Sequence, residues 1–218
     1  ALFMFLTVFI IRKGVEDGIE KWSKRLMPLL IGLLIILIVY VMTLDGASAG
    51  LQAYLNPDLE RVFHPDLLVS ALGQAFFSLS LGTSVMVIYG SYISKKENLV
   101  SLGAQVTLID VSIAFLAVLL IIPAMYVAQH QGVAIFAADG SLIAGPSMVF
   151  TVLPALFDGM GAMGLFVGFA FFVLMSVAAL TSSISMLEGP VSYAVERHDM
   201  QREKATTLIS IIIFFISV

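Results

Sequence analysis

The sequence has no cysteine, one tryptophan, three histidines and very little charge. Without cysteine there is no disulfide frame and no thiolate metal site. His64, His130 and His198 are scattered and do not make a ligand set. Charged residues fill 12% of the 218 positions, where a soluble domain carries about a quarter. The net charge is −4, with no basic stripe and no interleaving of aromatic and basic residues, which excludes a nucleic-acid partner. Catalytic signatures are missing as well. There is no G-x-S-x-G, no H-E-x-x-H, no phosphate loop and no Ser/His pair inside an apolar stretch. An intramembrane aspartyl protease needs two facing aspartates, and only Asp110 lies mid-stretch. The expectation is a protein that is not an enzyme.

What is present is apolar. Hydrophobic residues make up 60% of the chain and the mean hydropathy is +1.04. A water-soluble core of this size cannot hide so much apolar surface, so the lipid bilayer is the solvent that fits. Apolar stretches run over 1–11, 26–43, 67–93, 99–128, 159–194 and 205–218. A helix needs about 20 residues to cross the hydrocarbon core. The reading is an all-α, polytopic transmembrane bundle of six spans, the first and last partial, forming one domain over 1–218. No signal peptide is read, and both ends fall inside apolar runs, so truncation at both ends is expected.

Orientation follows from lysine and arginine. The segments 12–25, 94–98 and 195–204 hold ten of the eleven basic residues, and the intervening 44–66 and 129–158 share only Arg61. The positive-inside rule places the first three in the cytoplasm. In the outer segments, Asp45-Gly46, Asn56-Pro57 and Asp139-Gly140 are turn signals. The run Met148 to Phe157, with Pro154 in it, is too short to span and suits a helical cap that dips into the outer mouth. Gly14–Arg25 reads as a short interfacial helix, with Glu16, Glu20 and Lys24 spaced by four and Trp22 at headgroup depth.

Three features inside the spans carry polar chemistry. The centre of 67–93 reads Ser78-Leu79-Ser80-Leu81-Gly82-Thr83-Ser84, at the midpoint of an otherwise apolar stretch. Small residues and hydroxyls there serve either helix packing or a helix broken at the midplane. A broken helix exposes carbonyls and helix ends to cations and to the charged ends of a substrate, and Phe76 and Phe77 would wall that pocket. Asp110 is the second feature. A lone carboxylate at the centre of a span costs about 2.5–3.5 kcal/mol on insertion scales and is functional by default. It shares a small, polar helical face with Gly103, Thr107 and Ala114, which predicts that the face points into protein with a cation as partner. Third, Thr181, Ser185, Glu188, Ser192 and Glu196 form a stripe along one face of 159–194, with Ser182 at its edge. The stripe predicts burial against other helices or a water path, with Glu188 within reach of cytoplasmic water.

These residues resemble the neurotransmitter:sodium symporter family. Gly73-Gln74-Ala75-Phe76-Phe77-Ser78-Leu79-Ser80-Leu81-Gly82 is similar to its broken sixth helix. Ala178-Ala179-Leu180-Thr181-Ser182-Ser183 is similar to its eighth helix. Gly18-Ile19-Glu20-Lys21 with Met27-Pro28 resembles the start of its fifth helix, and Gly145-Pro146 through Leu153-Pro154-Ala155 its fourth extracellular loop. The resemblance covers essentially the whole chain, in order. It implies a fold of two inverted repeats, of which this chain carries the end of helix four into helix nine, as in bacterial-type members. It implies a sodium-coupled symporter of amino acids or related small amines in the plasma or inner membrane, working by alternating access. Its partners are sodium ions, a small-molecule substrate and the lipid bilayer; oligomeric state is open.

The resemblance also assigns roles. Ser78 and Asp110 match ligands of a first sodium, and Ala178 (by its carbonyl), Thr181 and Ser182 those of a second. Phe77, Ser78, Ser80, Thr83, Ser182 and Met186 match the substrate site. Gln74, Ser91, Tyr92, Glu188 and Glu196 match gating positions, with an arginine partner expected upstream of this chain. Thr83 and Ser84 depart from the usual bulky apolar residue and glycine, which alters the pocket wall. Ala114 stands where relatives carry a chloride-binding serine or an acid, so Asp110 is expected to supply that negative charge. The other readings are a proton-coupled permease working through Asp110 or Glu188, and a non-transporting membrane receptor or scaffold.

Overall fold

A computed structural model describes residues 2–56, 60, 63–138, 140 and 142–217. Arg61, Pro57 of the Asn56-Pro57 signal and Asp139 of the Asp139-Gly140 signal lie outside the described residues. The described chain is helical: α1 (Leu2–Arg12), a π turn (Val15–Glu20) leading into α2 (Lys21–Met42), α3 (Ala47–Leu55), α4 (Pro65–Ser78), α5 (Ser84–Ser91) and α6 (Leu99–His130). Then follow α7 (Gly145–Ser147), a second π turn (Met148–Val152), α8 (Leu153–Gly159), α9 (Ala162–His198) and α10 (Arg202–Ser217). An isolated antiparallel bridge, Phe136 with Leu142, closes the hairpin-like link between α6 and α7. Among the described residues, Val15–Met42, Leu99–His130 and Ala162–His198 are long and apolar enough to cross a membrane. The span predicted over 67–93 is two half-helices, α4 and α5, with no continuous ladder between them.

The chain forms two compact units: Ala1–Leu30, Gly73–Ala104 and Met175–Val218 in the first, Ile31–Leu72 and Gln105–Leu174 in the second. In lipid the hydrophobic effect does little to bring helices together, so close packing and hydrogen bonds must do it. The first unit packs Ile10 and Ile11 of α1, Ile19, Ile184, Leu187, Val191 and Ala194 of α9, and Ala205 of α10 into one core. Gly18 sits where an added Cβ would strike the Ile10 carbonyl oxygen, so only glycine lets this turn lie against the end of α1. Gly14, at φ 89°, makes the bend between them. The short interfacial helix expected over Gly14–Arg25 is helical from Val15 but does not end at Arg25. The π turn runs straight into α2, because nothing from Lys21 to Arg25 interrupts the ladder. The predicted Glu20–Lys24 ion pair does form.

In the second unit α3 occupies part of 44–66, which the sequence reading treated as a loop with turns. Gly46, at φ 93°, makes the Asp45-Gly46 turn, and Gly50 lies against Pro123 of α6, where a Cβ would come 2.6 Å from its Cα. The helical conformation expected for this run is present: residues 145–159 are helical throughout, with Pro154 directly after the π turn, where the regular α ladder is already interrupted. Leu153, Leu156 and Phe157 of α8 are buried together with Val167 and Phe171 of α9, Leu120 and Ala124 of α6, and Leu37 and Val41 of α2. These last six residues, with Ile121, Leu153 and Phe157, line a small apolar cavity. Phe157 meets the ring of Phe171 at 5.7 Å, and a Cβ on Gly164 would strike the Phe157 carbonyl.

Candidate functional site

The break between α4 and α5 is built from backbone. Leu81 N–H donates to the Phe76 carbonyl at 2.9 Å and Ser80 N–H to the Phe77 carbonyl at 3.1 Å. These are the two bonds of a Schellman stop, which needs a left-handed residue at the position Ser80 holds. Ser80 has φ 54° where glycine is usual, and Gly82 follows at φ 81°. Thr83 then returns to an extended conformation and starts α5. Its hydroxyl turns back to donate to the Ser80 carbonyl at 2.8 Å and does not cap α5. Two apposed helix ends therefore meet here, the C-terminus of α4 and the N-terminus of α5, carrying opposite partial charges. Of the predicted lining, Phe77 is 79% exposed, Ser78 and Thr83 are exposed, and Ser80 is half-buried. Gln74, one turn earlier, is exposed.

On α9 the three predicted oxygens come together. The Ala178 carbonyl accepts the hydroxyl of Thr181 at 2.8 Å and that of Ser182 at 3.2 Å. Positions 178, 181 and 182 share one helical face, and Met186 continues it, 70% exposed. Ser78 belongs to the first unit and Asp110 to the second. On the face predicted to point into protein, Asp110 is half-buried, and Gly103, Thr107 and Ala114 are exposed in this chain.

On the stripe of α9, Glu188 and Ser192 are buried, Ser185 is half-buried and Glu196 is exposed. Tyr89 donates to Ser185 at 3.0 Å, Tyr92 to Glu188 at 2.6 Å, and Ser192 to Glu196 at 3.2 Å. Ser192 also lies 3.1 Å from the Tyr92 hydroxyl. Ser91 only bonds back to the Ile88 carbonyl. One expectation is corrected: Glu188 is not open to water but 1% exposed. Within this chain Glu188 pairs with Arg202, whose Nη2 reaches Glu188 Oε2 at 2.5 Å. The same guanidinium donates through Nε to the Ile11 carbonyl at 3.0 Å. Burial follows because α9 continues to His198 and α10 starts at Arg202, so the tight link folds Arg202 back over Glu188. In the sequence Arg202 carries only a topogenic signal, and Tyr89 is not among the expected gating residues. Tyr89 stands one helical turn before the singled-out Tyr92 and three residues is the spacing of one face, so periodicity alone offered it.

A chain helical through its described residues, with membrane-length apolar helices and one helix interrupted at its centre, has the make-up of a multi-pass membrane protein. The profile of the Sodium:neurotransmitter symporter family matches residues 1–218, and the chain belongs to that family. It is 36% identical to an uncharacterized sodium-dependent transporter of Bacillus subtilis over 100% of this chain and 46% of that protein. A second, from Haemophilus influenzae, is 37% identical over 95% of this chain and 43% of its own length. The sodium- and chloride-dependent taurine transporter of Bos taurus is 29% identical over 87% of this chain and 30% of its own. Among solved structures, MhsT in complex with L-phenylalanine matches with a TM-score of 0.79 and 40% identity, over 99% of this chain and 46% of that one. The chain thus spans less than half the length of these relatives.

Proposed function

We propose that this chain is the central part of a single transporter domain that couples sodium to the uptake of an amino acid or related small amine. The carrying observation is the convergence of the Ala178 carbonyl, Thr181 and Ser182 on one face of α9. Sodium is a hard cation and takes oxygen ligands, and a carbonyl with two hydroxyls is a set of that kind. The ion would take the lone pairs of these oxygens while the hydroxyl protons turn away. Ser78 and Asp110 form the second half of the proposal, as ligands of another sodium whose charge the carboxylate balances. Phe77, Ser78, Ser80, Thr83, Ser182 and Met186 would line the substrate, with the opposed helix ends at the break receiving its charged groups. The L-phenylalanine of the MhsT structure and the taurine of the Bos taurus relative's name support a small amino-group substrate.

Gln74 would close the outer side of the site. Ser91, Tyr92, Glu188 and Glu196 would close the inner side, in a plasma or inner membrane with 12–25, 94–98 and 195–204 in the cytoplasm. Sodium and substrate would act by favouring different conformations, each by its differential affinity. The test is uptake by the full-length protein in vesicles under imposed sodium or proton gradients, with chloride or gluconate. The expected outcome is sodium-driven uptake that survives chloride removal and that becomes chloride-sensitive or sodium-weak in Asp110→Asn. Uptake driven equally by a proton gradient without sodium would favour the permease reading, and no uptake the receptor reading.

A further inference from the structure

Thr7 sits in the middle of α1, an otherwise apolar helix up to Arg12, and is 1% exposed. Its Oγ1 lies 3.1 Å from the Phe3 carbonyl and 2.9 Å from Ser183 Oγ on α9. Ser183 Oγ lies in turn 2.9 Å from the Leu180 carbonyl. Three contacts share two hydroxyl protons, since a hydroxyl donates once. If Thr7 donates to Phe3, Ser183 donates to Thr7 and releases Leu180; if Ser183 keeps Leu180, Thr7 donates to Ser183. In either arrangement the two helices are joined by a directional bond. Apolar packing alone holds helices together but tolerates rotation. Here it is Ile184, Leu187 and Val191 of α9 that pack with Ile10 and Ile11 of α1. Successive residues of a helix turn by about 100°, so Ser183 points to α1 while the neighbouring Ser182 stays with Ala178 and Thr181 on the open face.

We propose that Thr7 is a positioning residue for the ion ligands of α9. Through Ser183 its hydroxyl fixes the rotation of α9 at which the Ala178 carbonyl, Thr181 and Ser182 converge. The inference rests on the reading of those three as sodium ligands. A hydrogen bond of ordinary net strength corresponds to about a fivefold change in an equilibrium constant, which is the most its loss can transmit to binding.

The experiment is binding of radiolabelled sodium to the purified full-length protein in detergent, without substrate. Thr7→Val, which keeps the volume and removes the hydroxyl, is expected to raise half-saturating sodium by up to about fivefold, and Thr7→Ser to stay within about twofold of wild type. Ser183→Ala breaks the bond from the other end with the same shift, and Thr7→Val with Ser183→Ala together shift no further, because they remove one interaction. Thr181→Ala is the control for the ligand reading. Unchanged sodium binding in Thr181→Ala overturns that reading. A shift in Thr181→Ala with none in Thr7→Val or Ser183→Ala overturns the positioning role alone. Additive shifts, or a Thr7→Ser as weak as Thr7→Val, also overturn it. If Thr7→Val does not accumulate, the shift in Ser183→Ala decides.

Discussion

Glu188 shows how one residue's environment can invert its expected behaviour. A carboxylate 1% exposed, accepting from both Tyr92 and Arg202, is held by partners and not by solvent. Removing one partner of a buried ion pair typically costs about 3–5 kcal/mol, because the other charge remains buried. Arg202→Met is therefore expected to lower the melting temperature of the full-length protein in detergent markedly. Glu188→Gln combined with Arg202→Met should recover most of that loss, since no charge is left uncompensated. Arg202→Lys should fall between, because an ammonium cannot serve Glu188 and the Ile11 carbonyl with the same fixed fork. A double variant no more stable than Arg202→Met would contradict this account. The acid itself was legible from the stripe on 159–194. Its burial was not, because Arg202 lies 14 residues away across a helix end, where no periodicity links the two.

At the scale of elements, the break between α4 and α5 depends on two left-handed residues. A β-branched side chain in the left-handed region is strained by about 1–2 kcal/mol. Ser80→Val is expected to lower both thermal stability and maximal uptake, and Ser80→Gly to keep stability, since glycine takes φ 54° freely. Stability equal in the two variants would mean that the stop is imposed by its surroundings. The position of the break was readable in the hydroxyl and glycine cluster at the midpoint of 67–93. The kind of stop was not, because the Schellman position holds Ser80 and not glycine. α3 was hidden for a different reason. Its nine residues lie between turn signals, and Ala47 and Gly50 are buried there, Gly50 against Pro123, a partner far along the chain. The π turns have no sequence signature at all.

For the whole molecule, the distribution of ten basic residues over three segments gives a topology that labelling can check. On a cysteine-free background, Lys96→Cys is expected to react with a membrane-impermeant maleimide only from the cytoplasmic side, and Gly132→Cys only from outside. Labelling of both from one side would refute the assignment. The positions and order of the long apolar helices were legible because apolar length is a coarse signal that tertiary contacts do not alter. Which faces meet was legible only where polar residues repeat, as on α9. That helix also bears on how the chain enters the bilayer in the first place. Thr181, Ser182, Ser183 and Ser185 each bond to a carbonyl three or four residues back in their own helix. During synthesis the segment meets hydrocarbon before it meets an ion or a neighbouring helix, and an unsatisfied polar group there is costly. Back-bonded hydroxyls satisfy themselves, so these four residues add little to the cost of moving α9 from water into hydrocarbon.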